Sequence, residues 1–124
     1  MAIGGNDAWY GISDELFVEK LQKAIALGRS LGTQQFFLIP AFYSTVAASL
    51  DPHLAAPLKR VEELNALINQ VGAIEEVPVA TEGIQALYEN NVLKDNLTTD
   101  GDHLNAAGLE IYRQALFKIL KQKP

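Results

Sequence analysis

The clearest hydrophobic pattern in the chain is a stripe at helical spacing between residues 14 and 31. Its apolar or small residues recur four and three positions apart: Phe17, Leu21, Ala24, Gly28 and Leu31. Ser13 stands where an N-cap belongs, acidic residues follow it, and Gly32 stands where such a helix ends. The pattern therefore predicts an amphipathic helix that starts after Ser13 and ends before Gly32.

Two other segments are apolar without a helical or alternating pattern. The first, QQFFLIP at residues 34–40, has the length of a strand and suits one buried on both faces. The second runs from Ile74 to Val79, and Pro78 weakens its end because proline cannot donate to a ladder. Residues 1–3 form a shorter apolar stub. Strands that alternate with helices predict crossover connections and a parallel sheet.

Three more helices are expected further along the chain. Pro57 suits the first turn of one, which we expect to stop at Gly72. Its inward face is apolar: Val61, Leu64, Ile68 and Val71. A short helix is expected around residues 84–88, and a last helix begins near Asn105. Four apolar residues of the last helix are expected to point inward: Leu109, Tyr112, Leu116 and Ile119.

Composition indicates one globular domain and removes several classes of function. The 124 residues are 48% hydrophobic and 20% charged, which is typical of a folded chain. Ten basic and 15 acidic residues give a net charge of −5, which argues against binding to a nucleic-acid backbone. The absence of cysteine excludes disulfides, thiolate metal sites and a cysteine nucleophile.

Targeting signals are also absent from the sequence as given. MAIGGND at the start has neither the basic nor the apolar region of a signal peptide. No apolar run approaches the roughly 18 residues that a membrane span needs. These observations leave the location open and favour the cytoplasm.

The stretch TTDGDHLNAAG, residues 98–108, holds one of only two histidines. Asp100 precedes His103 by three residues, and Gly101 lets the backbone tighten between them. A histidine that acts as a general base needs a carboxylate to orient its ring and stabilise its protonated form. The alternative is a solvated turn that caps the last helix. A metal site is a further alternative, although its spacing matches no calcium loop; its ligands would be Asp95, Asp100, Asp102 and His103.

A second stretch, IGGND at residues 3–7, suggests a strand that runs into a loop. Glycines allow a backbone to approach a ligand closely, and the side-chain amide of Asn6 is able to donate to an oxyanion. An ordinary turn would have the same composition. Taken alone, this stretch does not distinguish the two.

Together, the two stretches resemble conserved blocks of a known family. Gly4-Gly5-Asn6-Asp7 resembles block III (Gly-x-Asn-Asp) of the SGNH, or GDSL-type, ester hydrolases. DGDHLNAAG resembles block V of that family, and the intervening elements match its third to fifth strands and later helices. The resemblance thus covers the whole chain and implies a three-layer α/β/α, flavodoxin-like fold with a parallel sheet.

The resemblance also implies roles for individual residues. His103 would be the base, Asp100 its orienting acid, and Asn6 an oxyanion-hole donor. The remaining block III residues, Gly4, Gly5 and Asp7, would shape the loop. The implied reaction is hydrolysis of a small-molecule ester through a serine, without a cofactor or a metal. The acyl group and the alcohol are left unspecified.

Two family blocks do not occur in this sequence. These are block I, Gly-Asp-Ser, and the block II glycine, so no nucleophile is assigned. None of the four serines lies in a Gly-Asp-Ser context: Ser13, Ser30, Ser44 and Ser49. We therefore expect residues 1–124 to be a single domain that forms the C-terminal portion of an N-terminally truncated SGNH hydrolase. A complementing N-terminal segment would supply the nucleophile.

Several expectations stay open beside this one. One alternative is a non-catalytic fragment or pseudoenzyme. A weaker alternative is a metal-assisted hydrolase that uses the Asp/His loop. An apolar strand edge in place of the missing strands, together with a mean hydropathy of +0.05, favours self-association. Five aromatic or apolar residues follow the predicted strand ends, and we expect them either to line an acyl pocket or to pack locally: Trp9, Tyr10, Phe42, Tyr43 and Val46.

Overall fold

The computed structural model describes residues 1–33 and 35–121. In these residues the α-helices are α1 (Gly5–Tyr10), α2 (Asp14–Ser30), α3 (Val46–Ser49), α4 (Leu58–Ile74) and α5 (Ala106–Lys121). Two 3-10 helices cover Glu82–Leu87 and Asp95–Leu97. A short antiparallel hairpin joins β1 (Tyr88–Glu89) to β2 (Val92–Leu93).

Helix α2 forms as its pattern predicts. The Ser13 hydroxyl accepts a hydrogen bond from the Leu16 N–H, at 3.2 Å, and so caps the helix. The buried face consists of Phe17, Leu21 and Ile25. Gly32 follows the helix with a φ of +76°, the left-handed conformation common after a helix end. Leu31 lies outside the stripe, however, because it is the C-cap and is 75% exposed.

A minimal parallel sheet forms where strands are predicted. Ala2 pairs with Ile39 and Leu38 pairs with Val79, both in parallel, so residues 38–39 lie in the middle. The Leu38 N–H donates to the Pro78 carbonyl at 2.9 Å, which extends this pairing. The prediction of parallel pairing is confirmed, but the paired segments are much shorter than predicted. The first residue of the predicted strand, Gln34, lies outside the described residues.

Helix α4 continues past the glycine that was predicted to stop it. Gly72 is buried inside the helix, which ends at Ile74. A Cβ added at Gly72 would lie 2.5 Å from Val79 Cγ2 and 2.9 Å from the Val77 carbonyl oxygen. The glycine therefore marks a close approach between α4 and the segment after it. The predicted strand at residues 74–79 was wrong in its first part, since Glu76 turns the chain with a φ of +56°.

Helix α5 packs against the 3-10 helix Glu82–Leu87. This 3-10 helix lies where a short helix at residues 84–88 was predicted, although Tyr88 belongs to β1. Tyr112, Leu116 and Ile119 pack against the core as expected. Leu109 was predicted to point inward and is instead 54% exposed; the buried positions of α5 are Gly108 and Ala115.

The core lies between α2, α4 and the parallel segments. These elements supply most of its least exposed large side chains, and Ile84 and Leu87 of the first 3-10 helix add two more. Those from the helices and the parallel segments are Phe17, Leu21, Ile25, Leu38, Leu64, Ile68 and Val71. Helices α2 and α4 pack directly against each other. Within the described part of the chain, no helix has both the length and the apolar character needed to cross a membrane.

Candidate active site

Asp100 and His103 form a hydrogen-bonded pair in the loop before α5. His103 Nδ1 lies 2.6 Å from Asp100 Oδ2. The other oxygen, Asp100 Oδ1, accepts hydrogen bonds from the backbone N–H groups of Asp102 at 2.9 Å and His103 at 2.8 Å. A carboxylate on Nδ1 fixes the proton of a neutral imidazole at that nitrogen. Nε2 is then left with a free lone pair, as a general base requires.

Electrostatics in this pair favour the charged form of both groups. The hydrogen bond that the His103 ring donates to Asp100, and then the negative charge of Asp100, raise the pKa of His103, and the charge of Asp102 adds to the effect. Hydrogen bonds from the His103 and Asp102 backbone N–H groups, and then from the imidazole, hold the pKa of Asp100 well below its usual range. The His103 side chain is 75% exposed, so water screens the attraction.

The loop that carries the pair is fixed by hydrogen bonds on both sides. The Thr98 hydroxyl donates to the His103 carbonyl at 2.6 Å and accepts from the Gly101 N–H at 2.9 Å. The Thr45 N–H donates to the Gly101 carbonyl at 2.8 Å, which ties this loop to the loop before α3. Gly101 has a φ of +89°, and a Cβ there would lie 2.6 Å from Thr45 Oγ1. Only glycine suits this position.

The cap of α5 comes from Asn105 and not from the Asp/Gly turn. Asn105 Oδ1 accepts from the Gly108 N–H at 2.9 Å, and its amide donates to the Asn96 carbonyl, also at 2.9 Å. The interpretation of the turn as a helix cap is therefore wrong. The carboxylate of Asp100 is directed to the imidazole instead.

The Gly-Gly-Asn-Asp stretch begins a helix, whereas the sequence suggested a loop after a strand. Gly5 is the first residue of α1, and Asn6 and Asp7 lie in its first turn. Gly4 precedes the helix with a φ of +113°, and a Cβ there would lie 3.0 Å from Ala41 Cβ. The close packing against Ala41 and the positive φ both require glycine at position 4.

Asn6 and His103 line the same cleft, although they come from opposite ends of the chain. The cleft has a volume of about 680 Å³, and the other block III residues, Gly4, Gly5 and Asp7, also line it. Asp102 lies on its wall beside His103. The rest of the wall is largely apolar: Trp9, Ala41, Phe42, Leu54, Ala55, Ala56 and Val61. An apolar group and a polar reacting centre would thus fit side by side.

Of the five residues predicted to line an acyl pocket or to pack locally, Trp9 and Phe42 line this cleft. Tyr43 is buried edge-on against Tyr88, with ring centroids 5.2 Å apart. Tyr10 is 80% exposed, and Val46 is an exposed residue of α3. Packing or exposure therefore accounts for the other three.

Two polar residues of the cleft, Ser44 and His53, were not predicted from sequence to belong to the site. Ser44 is 3% exposed and follows the paired segment at residues 38–39. His53, in the segment after α3, is exposed and also lines the cleft. The signal for Ser44 was its place after a parallel strand, where open α/β sheets bind ligands.

Each of the four serine hydroxyls has a hydrogen-bond partner other than His103. Ser13 caps α2, and Ser30 and Ser49 donate to carbonyls of their own helices at 2.8 Å. The Ser44 hydroxyl donates to Asp102 Oδ1, also at 2.8 Å. These contacts agree with the expectation that none of them is the nucleophile of a Gly-Asp-Ser block, without testing it.

The metal alternative finds no support in the side-chain geometry. Within residues 1–33 and 35–121, no three carboxylate or imidazole side chains converge as metal ligands would. The residues considered for this role were Asp95, Asp100, Asp102 and His103. The oxygens of Asp100 are occupied by the imidazole and by two backbone N–H groups.

Comparison with known proteins identifies the fold. No protein-family model and no curated protein matches the chain. Solved structures that match it include a GDSL-like lipase from Bacteroides thetaiotaomicron (TM-score 0.77, 16% identity, 98% of this chain and 60% of that one). A candidate platelet activating factor from Streptococcus pneumonia gives a TM-score of 0.79 at 18% identity, over 96% of this chain and 57% of that one.

A candidate acylhydrolase from Bacteroides fragilis gives a TM-score of 0.76 at 13% identity, over 98% of this chain and 59% of that one. The predicted fold class is thereby confirmed: the chain has the α/β fold of GDSL-like lipases and acylhydrolases. It spans about three-fifths of the length of these neighbours.

Proposed function

We propose that this chain provides the base, its orienting carboxylate and one oxyanion donor of an SGNH-type serine ester hydrolase. The observation that carries the proposal is the contact of 2.6 Å between His103 Nδ1 and Asp100 Oδ2, on a cleft that Asn6 also lines. The fold shared with GDSL-like lipases supports it.

In the proposed reaction, His103 Nε2 takes the proton of a serine hydroxyl as that hydroxyl attacks the ester carbonyl. The imidazolium that forms is stabilised by Asp100, which already favours the charged ring. The carbonyl oxygen becomes an oxyanion, and the Asn6 amide donates a hydrogen bond to it. His103 then gives the proton to the departing alcohol, and water repeats the sequence to release the acid.

The serine nucleophile is proposed to come from a segment outside residues 1–124. Two observations support this: all four serine hydroxyls are engaged elsewhere, and the chain spans only about three-fifths of its structural neighbours. In this proposal the chain is the C-terminal portion of a longer hydrolase domain, and an N-terminal segment with Gly-Asp-Ser completes it.

The substrate is proposed to be a small ester with an apolar acyl or alcohol group. The apolar side of the cleft, with Trp9, Phe42 and Leu54, supports this choice, as does its volume of about 680 Å³. The net charge of −5 gives no reason to expect an anionic polymer as substrate.

The test compares hydrolysis of p-nitrophenyl acetate by the bare chain and by the chain joined to an N-terminal segment that contains Gly-Asp-Ser. We expect the bare chain to remain near the uncatalysed rate and the joined protein to turn over. His103→Gln in the joined protein should lower kcat by at least about 10³-fold, as loss of a triad base does. Robust turnover by the bare chain that a serine-directed phosphonate abolishes would contradict the proposed source of the nucleophile.

The second candidate is a non-catalytic binding protein. The observation that favours it is the Ser44 hydroxyl, which lies at the cleft but donates to a carboxylate. If the joined protein folds and still does not hydrolyse esters, this candidate replaces the first.

A further inference from the structure

The imidazole of His103 faces a second carboxylate besides its hydrogen-bonded partner. Asp102 Oδ2 lies 3.9 Å from His103 Nδ1. The other oxygen of the same carboxylate, Asp102 Oδ1, accepts the hydrogen bond from the Ser44 hydroxyl at 2.8 Å. One carboxylate thus bridges a serine on a different loop and the ring of the proposed base.

Ser44 is well placed to hold this carboxylate because its own position is fixed. It is 3% exposed, and its carbonyl accepts from the Leu93 N–H at 3.2 Å. The next residue, Thr45, donates its N–H to the Gly101 carbonyl at 2.8 Å. Residues 44–45 and the loop of His103 are therefore joined by two separate hydrogen bonds, one from the Ser44 side chain and one from the Thr45 backbone.

Without the Ser44 hydroxyl, Asp102 would be free to rotate. Its side chain is 31% exposed, so water would compete for both of its oxygens. A rotation about χ1 would carry Oδ2 away from the imidazole. The hydroxyl therefore decides whether the second negative charge faces the ring.

We propose that Ser44 and Asp102 are positioning residues for His103: Ser44 holds the Asp102 carboxylate, and this carboxylate supports the imidazolium together with Asp100. The charged and titratable groups around the ring are Asp100 and Asp102 in its own loop, and Asp7 and His53 on the wall of the same cleft. The effect on His103 stands on the contacts alone, whereas its use in catalysis rests on the proposed function.

The test is an NMR titration of the His103 ring in the full chain, with His53→Gln in the background so that one imidazole signal remains. Ser44→Ala and Asp102→Asn should each lower the pKa of His103, and by less than Asp100→Asn does. Ser49→Ala is the matched control, because the Ser49 hydroxyl donates to a carbonyl within α3 and should leave the titration unchanged. In the joined hydrolase, Asp102→Asn should move the acid limb of kcat/KM to lower pH.

The NMR result is independent of whether the chain hydrolyses esters. The proposal is overturned if the pKa of His103 is unchanged in Asp102→Asn. It is also overturned if Asp102→Asn lowers this pKa while a folded Ser44→Ala variant does not. If Ser44→Ala does not fold, Ser44→Thr replaces it, because threonine keeps the hydroxyl. The pKa of His103 in Ser44→Thr should equal that in the parent, and a lowered value contradicts the role of Ser44. The role in catalysis is overturned separately if the acid limb does not move in an active joined protein.

Discussion

Asp100 has two functions in the loop before α5, because its two oxygens have different partners. One oxygen closes the turn by accepting two backbone N–H groups, and the other holds the His103 ring. The turn and the imidazole therefore depend on the same side chain. A substitution at Asp100 should change the titration of His103 and the stability of the loop together.

We predict that Asp100→Asn lowers the pKa of His103, since the negative charge that favours imidazolium is removed. Folding raises the pKa of His103, so the protonated imidazole contributes to the free energy of unfolding fully below about pH 6.5. This contribution is lost as the pH rises through the pKa of His103 in the folded protein. The pKa of Asp100 is lowered by folding, so its contribution is present above about pH 3.9 and is lost as the pH falls through the lowered value.

The check combines an NMR titration with urea unfolding at several pH values. Between about pH 4 and 6.5, Asp100→Asn should lower the free energy of unfolding most, because both groups are charged there. Glu15→Gln, which removes an exposed carboxylate from the first turn of α2, serves as the control. A His103 pKa that is equal in Asp100→Asn and the parent contradicts the pairing.

Asn65 supports the cleft from inside the core. Its Oδ1 accepts from the Ala41 N–H at 2.8 Å, and its amide donates to the Ala41 carbonyl at 3.0 Å. Asn65 is 7% exposed and Ala41 is also buried. Removing the Asn65 amide would therefore leave the buried N–H and carbonyl of Ala41 without hydrogen-bond partners. Ala41 packs against Gly4, the residue before α1, and α1 carries Asn6. Asn65 therefore helps to fix the position of the proposed oxyanion donor through Ala41.

We predict that Asn65→Ala lowers the free energy of unfolding by about 2–4 kcal/mol, since each unsatisfied buried group costs about 1–3 kcal/mol. Urea unfolding with an unchanged m-value measures this. Asn69→Ala is the control: its amide donates to the Asn65 carbonyl at 2.9 Å, but the residue is exposed, and the loss should stay below about 1 kcal/mol. Equal losses in the two variants would mean that Asn65 does not act through Ala41.

At this scale, local contacts were predictable from sequence and distant ones were not. The spacing of three residues places Asp100 within reach of His103, and the structure shows that contact. Ser44 and Asp102 meet only after the strands and helices between them have packed, so no local pattern records their contact. The same holds for Asn65 and Ala41, which are 24 residues apart.

Helices were easier to predict than strands because their signals are local. The Ser13 cap and the apolar stripe of α2 lie within one segment, and both are present. The predicted strand at residues 74–79 pairs only near Val79, because pairing depends on where Leu38 lies and not on the segment itself. Gly72 misled the prediction, since a glycine that ends a helix and one that allows close packing look the same in sequence.

The close contact at Gly72 leads to a prediction for α4. Alanine is favoured over glycine in a helix interior by about 1 kcal/mol, but its Cβ would lie 2.9 Å from the Val77 carbonyl oxygen. A backbone atom cannot move away cheaply, and overpacking costs about 1–3 kcal/mol. We therefore expect Gly72→Ala to lower the free energy of unfolding by about 1–2 kcal/mol, measured by urea unfolding.

Gly28→Ala in α2 is the matched control for Gly72→Ala. It brings the same gain in helix propensity, and its Cβ would lie 3.2 Å from the ring of Phe36, which is half-buried and able to shift. We expect this variant to stay within about 1 kcal/mol of the parent. If Gly72→Ala were as stable as Gly28→Ala, α4 would not be packed as closely against Val77 and Val79 as the structure shows.

For the molecule as a whole, the order of the parallel segments determines which backbone groups are left at an edge. The Ile39 N–H donates to the Met1 carbonyl at 2.7 Å, and Ala2 forms the bridge to Ile39. In an extended segment the neighbouring peptide groups point to opposite sides, so the N–H and C=O of Ala2 point away from Ile39. Within residues 1–33 and 35–121, no other segment pairs with that side.

Apolar surface adds to the consequences of this edge. Two large apolar side chains of α1 are at least 40% exposed, Trp9 and Tyr10. Trp9 is held by a hydrogen bond from its ring N–H to the Pro52 carbonyl at 2.9 Å, and its ring stacks on Tyr10. Unpaired strand edges beside exposed apolar groups favour association between chains.

We therefore predict that the purified chain self-associates through the edge at Ala2. Its mass from light scattering should rise with protein concentration, and Ala2→Pro should reduce this rise, because proline removes the N–H on the open side and keeps extended backbone. Leu31→Lys is the comparison, since it removes apolar surface away from the edge and should leave the association unchanged. If Leu31→Lys abolishes the association and Ala2→Pro does not, the chains associate through helix surfaces and not through the edge. If the chain is a monodisperse monomer at every concentration, the prediction is wrong.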